Sequence, residues 1–428
     1  MAKSWRRPAA WAAGAAGATA LLVLLYANLT ASSTRLEHSI PHRYSPADSQ
    51  FVRVMGSLLG PGMERGNRMT SLLNGDQVFP AMLAAIRSAR RSITFETYIY
   101  WSGEVGQQFA AALSERARAG VKTHVLLDWV GSGKMDSAML DQMEQAGIQI
   151  VRYRPLRWYN VDRLNNRTHR KLLIVDGRIG FTGGIGVADH WLGHAQDKDH
   201  WRDSHFRVEG PVVAQLQGAF MDNWIESRAE VLDGPDYFPL LEPAGTQNAQ
   251  VFRSSPGEGS ASMRLMYLLA IASAARSIRI ANAYFVPDSL VVDMLVQARR
   301  RGVAVEIVVP GPVLDAQIVR RASRAKWGPL LRSGVRIYEY QPTMYHTKVM
   351  VVDDIWASVG STNFDDRSFR LNDEANLNVL DAGFGQEQAR QFAADQARSR
   401  EVTLAAWERR PMTEKVQERF ARLVKSQL

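Results

Sequence analysis

Two stretches decide how this chain folds: THRKLLIVDGRIGFTGG at 168–184 and YHTKVMVVDDIWASVGSTN at 345–363. Each reads His, any residue, Lys, four residues, Asp, six residues, Gly. The positions are His169, Lys171, Asp176 and Gly183 in the first copy, and His346, Lys348, Asp353 and Gly360 in the second. The apolar runs Leu172 to Val175 and Val349 to Val352 fit short buried strands. Side chains alternate across a strand, so the His and Lys of each copy point the same way. A Lys and a His opening a buried strand are costly without a partner. An anion would supply one.

The likeness extends outward from both motifs. AAIRSARRSITFETYIYW (84–101) matches AIASAARSIRIANAYFVP (270–287), and ALSERARAGVKTHVLLDW (112–129) matches LVQARRRGVAVEIVVPG (295–311). MEQAGIQIVRY (143–153) matches LLRSGVRIYEY (330–340). The order is the same, and corresponding points lie 177 to 187 residues apart, which is the mark of a duplication. Helical patterns alternate with β-branched and aromatic strands. The expected fold is therefore α/β, with two similar halves, each a mixed or parallel sheet flanked by helices. The expected divisions are a hydrophobic N-terminal segment over 1–33, a connecting segment without assigned elements over 34–70, and halves over 71–235 and 236–428.

The chain has 428 residues and no cysteine, which excludes disulfide scaffolds, thiol nucleophiles and thiolate zinc sites. A formal charge of +9 suits an anionic partner, either nucleic acid or a lipid surface. Lys3, Arg6 and Arg7 precede an uncharged stretch from Pro8 to Ser33. Its apolar part, Ala9 to Ala27, is about as long as a bilayer-spanning helix. The positive-inside rule then predicts a single N-terminal anchor in an inner membrane, with the catalytic part in the periplasm. A cleaved signal peptide is the competing reading.

A phosphate held by two lysines between two imidazoles could be cleaved without a metal or cofactor. One neutral His attacks phosphorus while the other, protonated, gives its proton to the leaving oxygen. Lysines with Ser and Asn donors would stabilise the non-bridging oxygens. His190 and His194, four apart, would be half of a zinc site if helical, but Trp191 stands where the usual Glu is expected. The run YRPLRWYNVDRLNNR (153–167) alternates arginines with Leu156, Trp158 and Tyr159, a composition suited to a lipid interface or to single-stranded nucleic acid.

The paired motif resembles the signature of the phospholipase D superfamily. Within it, the stretches LLNGDQVFPAMLAAI (72–86), FETYIYW (95–101), WRDSHFRVEGPVV (201–213), NAYFVPD (282–288) and SVGSTNFDDRSFRLNDEANL (358–377) look most like the bacterial cardiolipin synthases. The resemblance implies a duplicated phospholipase D-like fold with His169, Lys171, Asp176, His346, Lys348 and Asp353 as the catalytic set. It also implies a phosphohistidine intermediate, phosphatidyl transfer between phospholipids, and action at a membrane rather than on nucleic acid. By the same resemblance Glu374 orients His169 and Asp203 orients His346, each from the opposite half. Ser361 and Asn363 match the family's donors after Gly360. The first copy departs, reading Gly183-Gly184-Ile185-Gly186 without a Ser or Asn. A lipid hydrolase and an exported phosphodiesterase or nuclease would use the same residues.

Overall fold

The computed structural model describes residues 36–155, 166–255 and 262–421, together with residues 11, 14–19 and 23, which are helical. The expected N-terminal anchor and the residues Leu156, Trp158 and Tyr159 fall largely or wholly outside that range. Among the described residues no helix is long and apolar enough to cross a membrane.

Among the described residues fifteen strands form one mixed sheet. In the first part of the chain they are β1 (Glu64–Leu73), β2 (Ser92–Thr97), β3 (Lys122–Asp128), β4 (Gln149–Tyr153), β5 (Leu172–Val175), β6 (Ile179–Gly183) and β7 (Ser204–Glu209). The second part contributes β8 (Gln247–Ser254), β9 (Ser277–Asn282), β10 (Ala304–Pro310), β11 (Arg336–Tyr340), β12 (Lys348–Val352), β13 (Trp356–Gly360), β14 (Glu374–Leu380) and β15 (Ser399–Glu401). β1 and β8 pair antiparallel at the centre. Outward from that seam the order is β7-β6-β5-β2-β3-β4 on one side and β14-β13-β12-β9-β10-β11 on the other, where β15 closes the edge. The two sides repeat each other strand for strand. β2, β3 and β4 are parallel, as are β9, β10 and β11, while the motif strands β5 and β12 run antiparallel to their neighbours.

β5 and β12 are buried throughout, as unbroken apolar runs in covered strands should be. Helices cover the sheet. One core joins the two sides, bringing Ile174, Phe206 and Trp224 together with Val351, Leu377 and Phe384. Such a core holds the paired motifs in a fixed relation.

The segment over 34–70 contains more structure than its sequence suggested. A helix over Ser49–Leu59 is capped by the Asp48 carboxylate, and β1 starts at Glu64. The helix buries Phe51, Met55 and Leu59, spaced by four along one face, against the core of the second half.

Candidate active site

His169 ends the approach to β5, and His346 the approach to β12. Each is fixed by the opposite half. The His169 backbone N–H donates to the Asp373 carbonyl at 2.9 Å, and the His346 N–H to the Arg202 carbonyl at 2.8 Å. The residue after each of those carbonyls is an acid facing the same histidine. His169 Nδ1 lies 3.1 Å from both oxygens of Glu374, and His346 Nδ1 lies 2.6 Å from Asp203 Oδ2. Both carboxylates are fully buried. A buried carboxylate facing Nδ1 places the proton there, leaving Nε2 with its lone pair. The crossed pairing implied by the resemblance is what the structure holds.

The two carboxylates are themselves held differently. Glu374 accepts from the Ser361 hydroxyl at 2.5 Å and from Asn372 Nδ2 at 3.4 Å. Asp203 accepts from the Trp191 indole N–H at 3.1 Å and the Ser204 backbone N–H at 2.8 Å. Gly184 stands where Ser361 stands in the other half. A Cβ there would lie 2.2 Å from Asp203 Oδ1, so no side chain fits. The motif glycines are similarly confined: a Cβ on Gly183 would meet the His205 Cα at 2.6 Å, and one on Gly360 the Ala375 carbonyl at 2.4 Å.

The lysines turn back over their own histidines. Lys171 Nζ donates to the His169 carbonyl at 2.7 Å, and Lys348 Nζ to the His346 carbonyl at 2.5 Å. His169, Lys171 and His346 line one cavity of about 310 Å³, with Arg167, Arg367, Asn363 and Asn372. Tyr98 presents its ring edgewise to His169 at 5.4 Å, while Trp191 and Trp201 flank His346 at 5.5 and 5.4 Å.

Burial sets the charge states here. It pushes His169 down to about 4, against the opposing pull of Glu374. His346 is also lowered, by burial and then by the Lys348 charge, with Asp203 opposing. Burial takes Lys171 down to about 7 and Lys348 to about 8, with the carboxylates opposing and the other lysine adding to the fall for Lys171. Burial alone would raise Asp203 and Glu374, but their histidine partners and the lysines hold both below the ordinary carboxylate range. Burial thus favours neutral imidazoles, with Lys171, Arg167 and Arg367 lining the cavity and Lys348 beside His346. A phosphodiester would find cationic partners there, and its negative charge would favour protonation of a neighbouring imidazole.

Two expectations need correction. Asp176 and Asp353 are at the far ends of their strands from the histidines and do not line the cavity. Asp176 accepts from the backbone N–H groups of Arg90, Arg91 and Ser92 at 2.7–3.1 Å, and Asp353 from those of Ala275, Arg276 and Ser277 at 2.7–2.9 Å. These carboxylates tie the start of β2 or β9 to the end of the motif strand; they are scaffold. Ser361 gives its proton to Glu374, so it positions the acid and leaves the non-bridging oxygens to other donors. Asn363 does line the cavity, with its Oδ1 buried and without a partner among the described residues. His190 and His194 do not share a helix face: only Asp189–Trp191 is helical, a single 3-10 turn, and His190 stacks on Trp201 at 5.3 Å.

Sequence reasoning missed Trp191, whose indole N–H is a working donor, and Glu96. Glu96 is fully buried under the first motif, accepting from Thr168 at 2.5 Å and Asn223 at 2.6 Å. Burial pushes it up to about 7. By strand register its counterpart in the second half is Ala281, so one charged group braces only the first motif. FETYIYW contained that signal: a lone acid in a strand of otherwise buried residues.

The chain matches the family described as cardiolipin synthase, PLD-like domain, over residues 82–222 and 267–396. It belongs to that family. It is 36% identical over 401 residues to cardiolipin synthase 1 of Bacillus anthracis, covering 91% of this chain and 78% of that protein. It is 35% identical over 359 residues to cardiolipin synthase A of Pseudomonas putida, covering 84% and 74%. Among solved structures, phosphatidylserine synthase of Haemophilus influenzae shares the fold, with a TM-score of 0.63 at 15% identity over 84% of this chain and 95% of that one. Family membership makes the chain an enzyme of the phospholipase D superfamily, and the histidine pair lies in both matched regions.

Proposed function

We propose that this enzyme makes cardiolipin from phosphatidylglycerol and a second phospholipid, through a phosphohistidine. The observation that carries the proposal is the crossed pairing of two histidines with two buried carboxylates around one cationic cavity. His169 Nε2 attacks phosphorus. The P–O bond to the headgroup glycerol breaks, and protonated His346 gives its proton to the departing oxygen. Glycerol leaves. The neutral His346 then takes a proton from the hydroxyl of a second phosphatidylglycerol, that oxygen attacks phosphorus, and the P–N bond to His169 breaks. Two phosphatidylglycerols yield one cardiolipin and one glycerol. Lys171 and Lys348, with Asn363, would balance charge on the non-bridging oxygens. The lowered His169 favours the neutral nucleophile near pH 7.

The test is incubation of the purified full chain with labelled phosphatidylglycerol vesicles. Labelled cardiolipin is expected; phosphatidic acid alone would make the enzyme a phospholipase D-type hydrolase. We further propose a single N-terminal anchor and a periplasmic catalytic part, on the strength of Lys3, Arg6 and Arg7 preceding the apolar stretch. Alkaline phosphatase fused after Leu428 should be active; an inactive fusion beside an active cytoplasmic reporter would place the enzyme on the other face.

A further inference from the structure

The cavity contains a feature that phosphate chemistry does not call for. Asp315, in the loop after β10, lines it together with Tyr284. The Tyr284 hydroxyl donates to Asp315 Oδ2 at 2.5 Å. Among the described residues this is the one hydrogen bond that Asp315 takes, and the residue is exposed at the cavity that it lines. A carboxylate beside a site for an anionic phosphodiester repels the phosphate itself. It becomes favourable only against a part of the substrate that offers donors.

Position says which part that is. The charge of Asp315 acts on His346 and Lys348, whereas the leading charges on His169 are Glu374, Lys171 and Lys348. Asp315 therefore belongs to the His346 end of the cavity. In the proposed reaction the oxygen that leaves and the oxygen that enters both meet His346. The remaining carbons of each headgroup must extend from that point into the cavity that Asp315 also lines. The corresponding positions of the first half differ: register places Ile99 where the second half has Tyr284, and the loop after β3 presents Lys134 over the Trp101 ring at 4.0 Å.

We propose that Asp315, oriented by Tyr284, is a specificity residue that accepts hydrogen bonds from the free hydroxyls of a glycerol headgroup. It would select a polyol both as the leaving group and as the acceptor. This inference rests on the phosphatidyl-transfer reading of the site. Asp315 is exposed and on a loop, so its substitution should leave the fold intact.

The experiment measures, on the purified full chain, the kcat/KM for phosphatidylglycerol divided by that for phosphatidylpropanol, which has the same lipid but no free hydroxyl. The wild type should favour phosphatidylglycerol by about tenfold or more, the scale of a hydrogen bond to a charged group. D315A should bring the ratio close to one, and D315E should keep part of the preference. A role in folding alone would lower both substrates together and leave the ratio unchanged; that result would overturn the proposal. A wild-type preference for phosphatidylethanolamine over phosphatidylglycerol, lost in D315A, would also overturn it, since the carboxylate would then be reading an ammonium. If the wild type yields only phosphatidic acid, the transferase reading fails, yet the donor ratio still decides whether Asp315 reads the polyol.

Discussion

The His169 and His346 sites hold equivalent histidines with different supports. Around His169, a longer acid, Glu374, shares both oxygens with the ring and is steadied by a hydroxyl and an amide. Around His346, a shorter acid, Asp203, makes one close bond and is steadied by an indole and a backbone N–H. Duplication kept the histidine, the lysine and the crossed acid, and let the outer donors diverge. Of the Gly-Gly-Ile-Gly departure in the first copy, the missing serine is therefore no loss of an oxyanion donor, whereas Gly186 has no side chain to match Asn363, which lines the cavity. Ser361 points at the acid, and Gly184 leaves the space that the Asp203 carboxylate enters.

The largest way to disturb this comparison is to change the acids. Replacing Asp203 by Asn, or Glu374 by Gln, keeps the shape but lets an amide face Nδ1 and favours the wrong tautomer. Turnover of phosphatidylglycerol should fall by about 10²- to 10⁴-fold in each. D203N should be the worse, because one close bond is lost where Glu374 spreads two longer ones. Equal activity in D203N and wild type would remove Asp203 from the account.

The lysines distinguish the halves by pH. Lys171, lowered to about 7, loses its charge before Lys348, at about 8. Both are cations below those values and neutral above them, whereas His346, lowered by burial and the Lys348 charge, gives up its proton below the ordinary histidine value and before either lysine. The kcat/KM should therefore already decline below about pH 6.5, the ordinary histidine value, and fall more steeply as the lysines discharge near 7 and 8. On the acid side, His169 stays neutral down to about 4, so that limb should lie below the ordinary histidine range. A profile flat to pH 9 would count against charged lysines in the free enzyme.

A smaller effect tests the exchanged space. G184S would restore the residue of the second half and force Asp203 to move. The expected cost is about 1–3 kcal/mol of stability, with reduced activity. An unchanged melting temperature and rate would mean the close approach is not needed. Smallest of all, W191F and S361A each remove one donor to an acid, and each should slow turnover by about tenfold or less. W191F should act through His346 and S361A through His169, so the double variant should show additive losses in free energy.

Much of this was legible in the chain because duplication writes the site twice. His169, Lys171, His346 and Lys348 announce themselves by identical spacing, and the strands by apolar runs between polar ends. What stayed hidden depends on contacts between distant segments. Asp176 and Asp353 share the motif, yet only the structure shows three backbone donors closing on each. Trp191 reads as a bulky residue between two histidines until Asp203 is seen beside its indole. The helix over Ser49–Leu59 had the right spacing of Phe51, Met55 and Leu59, but its partner surface lies more than two hundred residues further along. Residues 156–165, whose arginines and aromatics suggested a lipid interface, lie outside the described structure.

The central claim is that the two sites are unequal in chemistry: His169 forms the bond to phosphorus and His346 moves the proton. Rapid acid quenching of the enzyme with phosphatidylglycerol labelled in its phosphate, followed by peptide mapping, addresses this directly. The account predicts a labelled phosphatidyl adduct on His169, retained when His346 is replaced and a donor with a good leaving group is supplied. Label found only on His346 would reverse the roles, and the account would be contradicted.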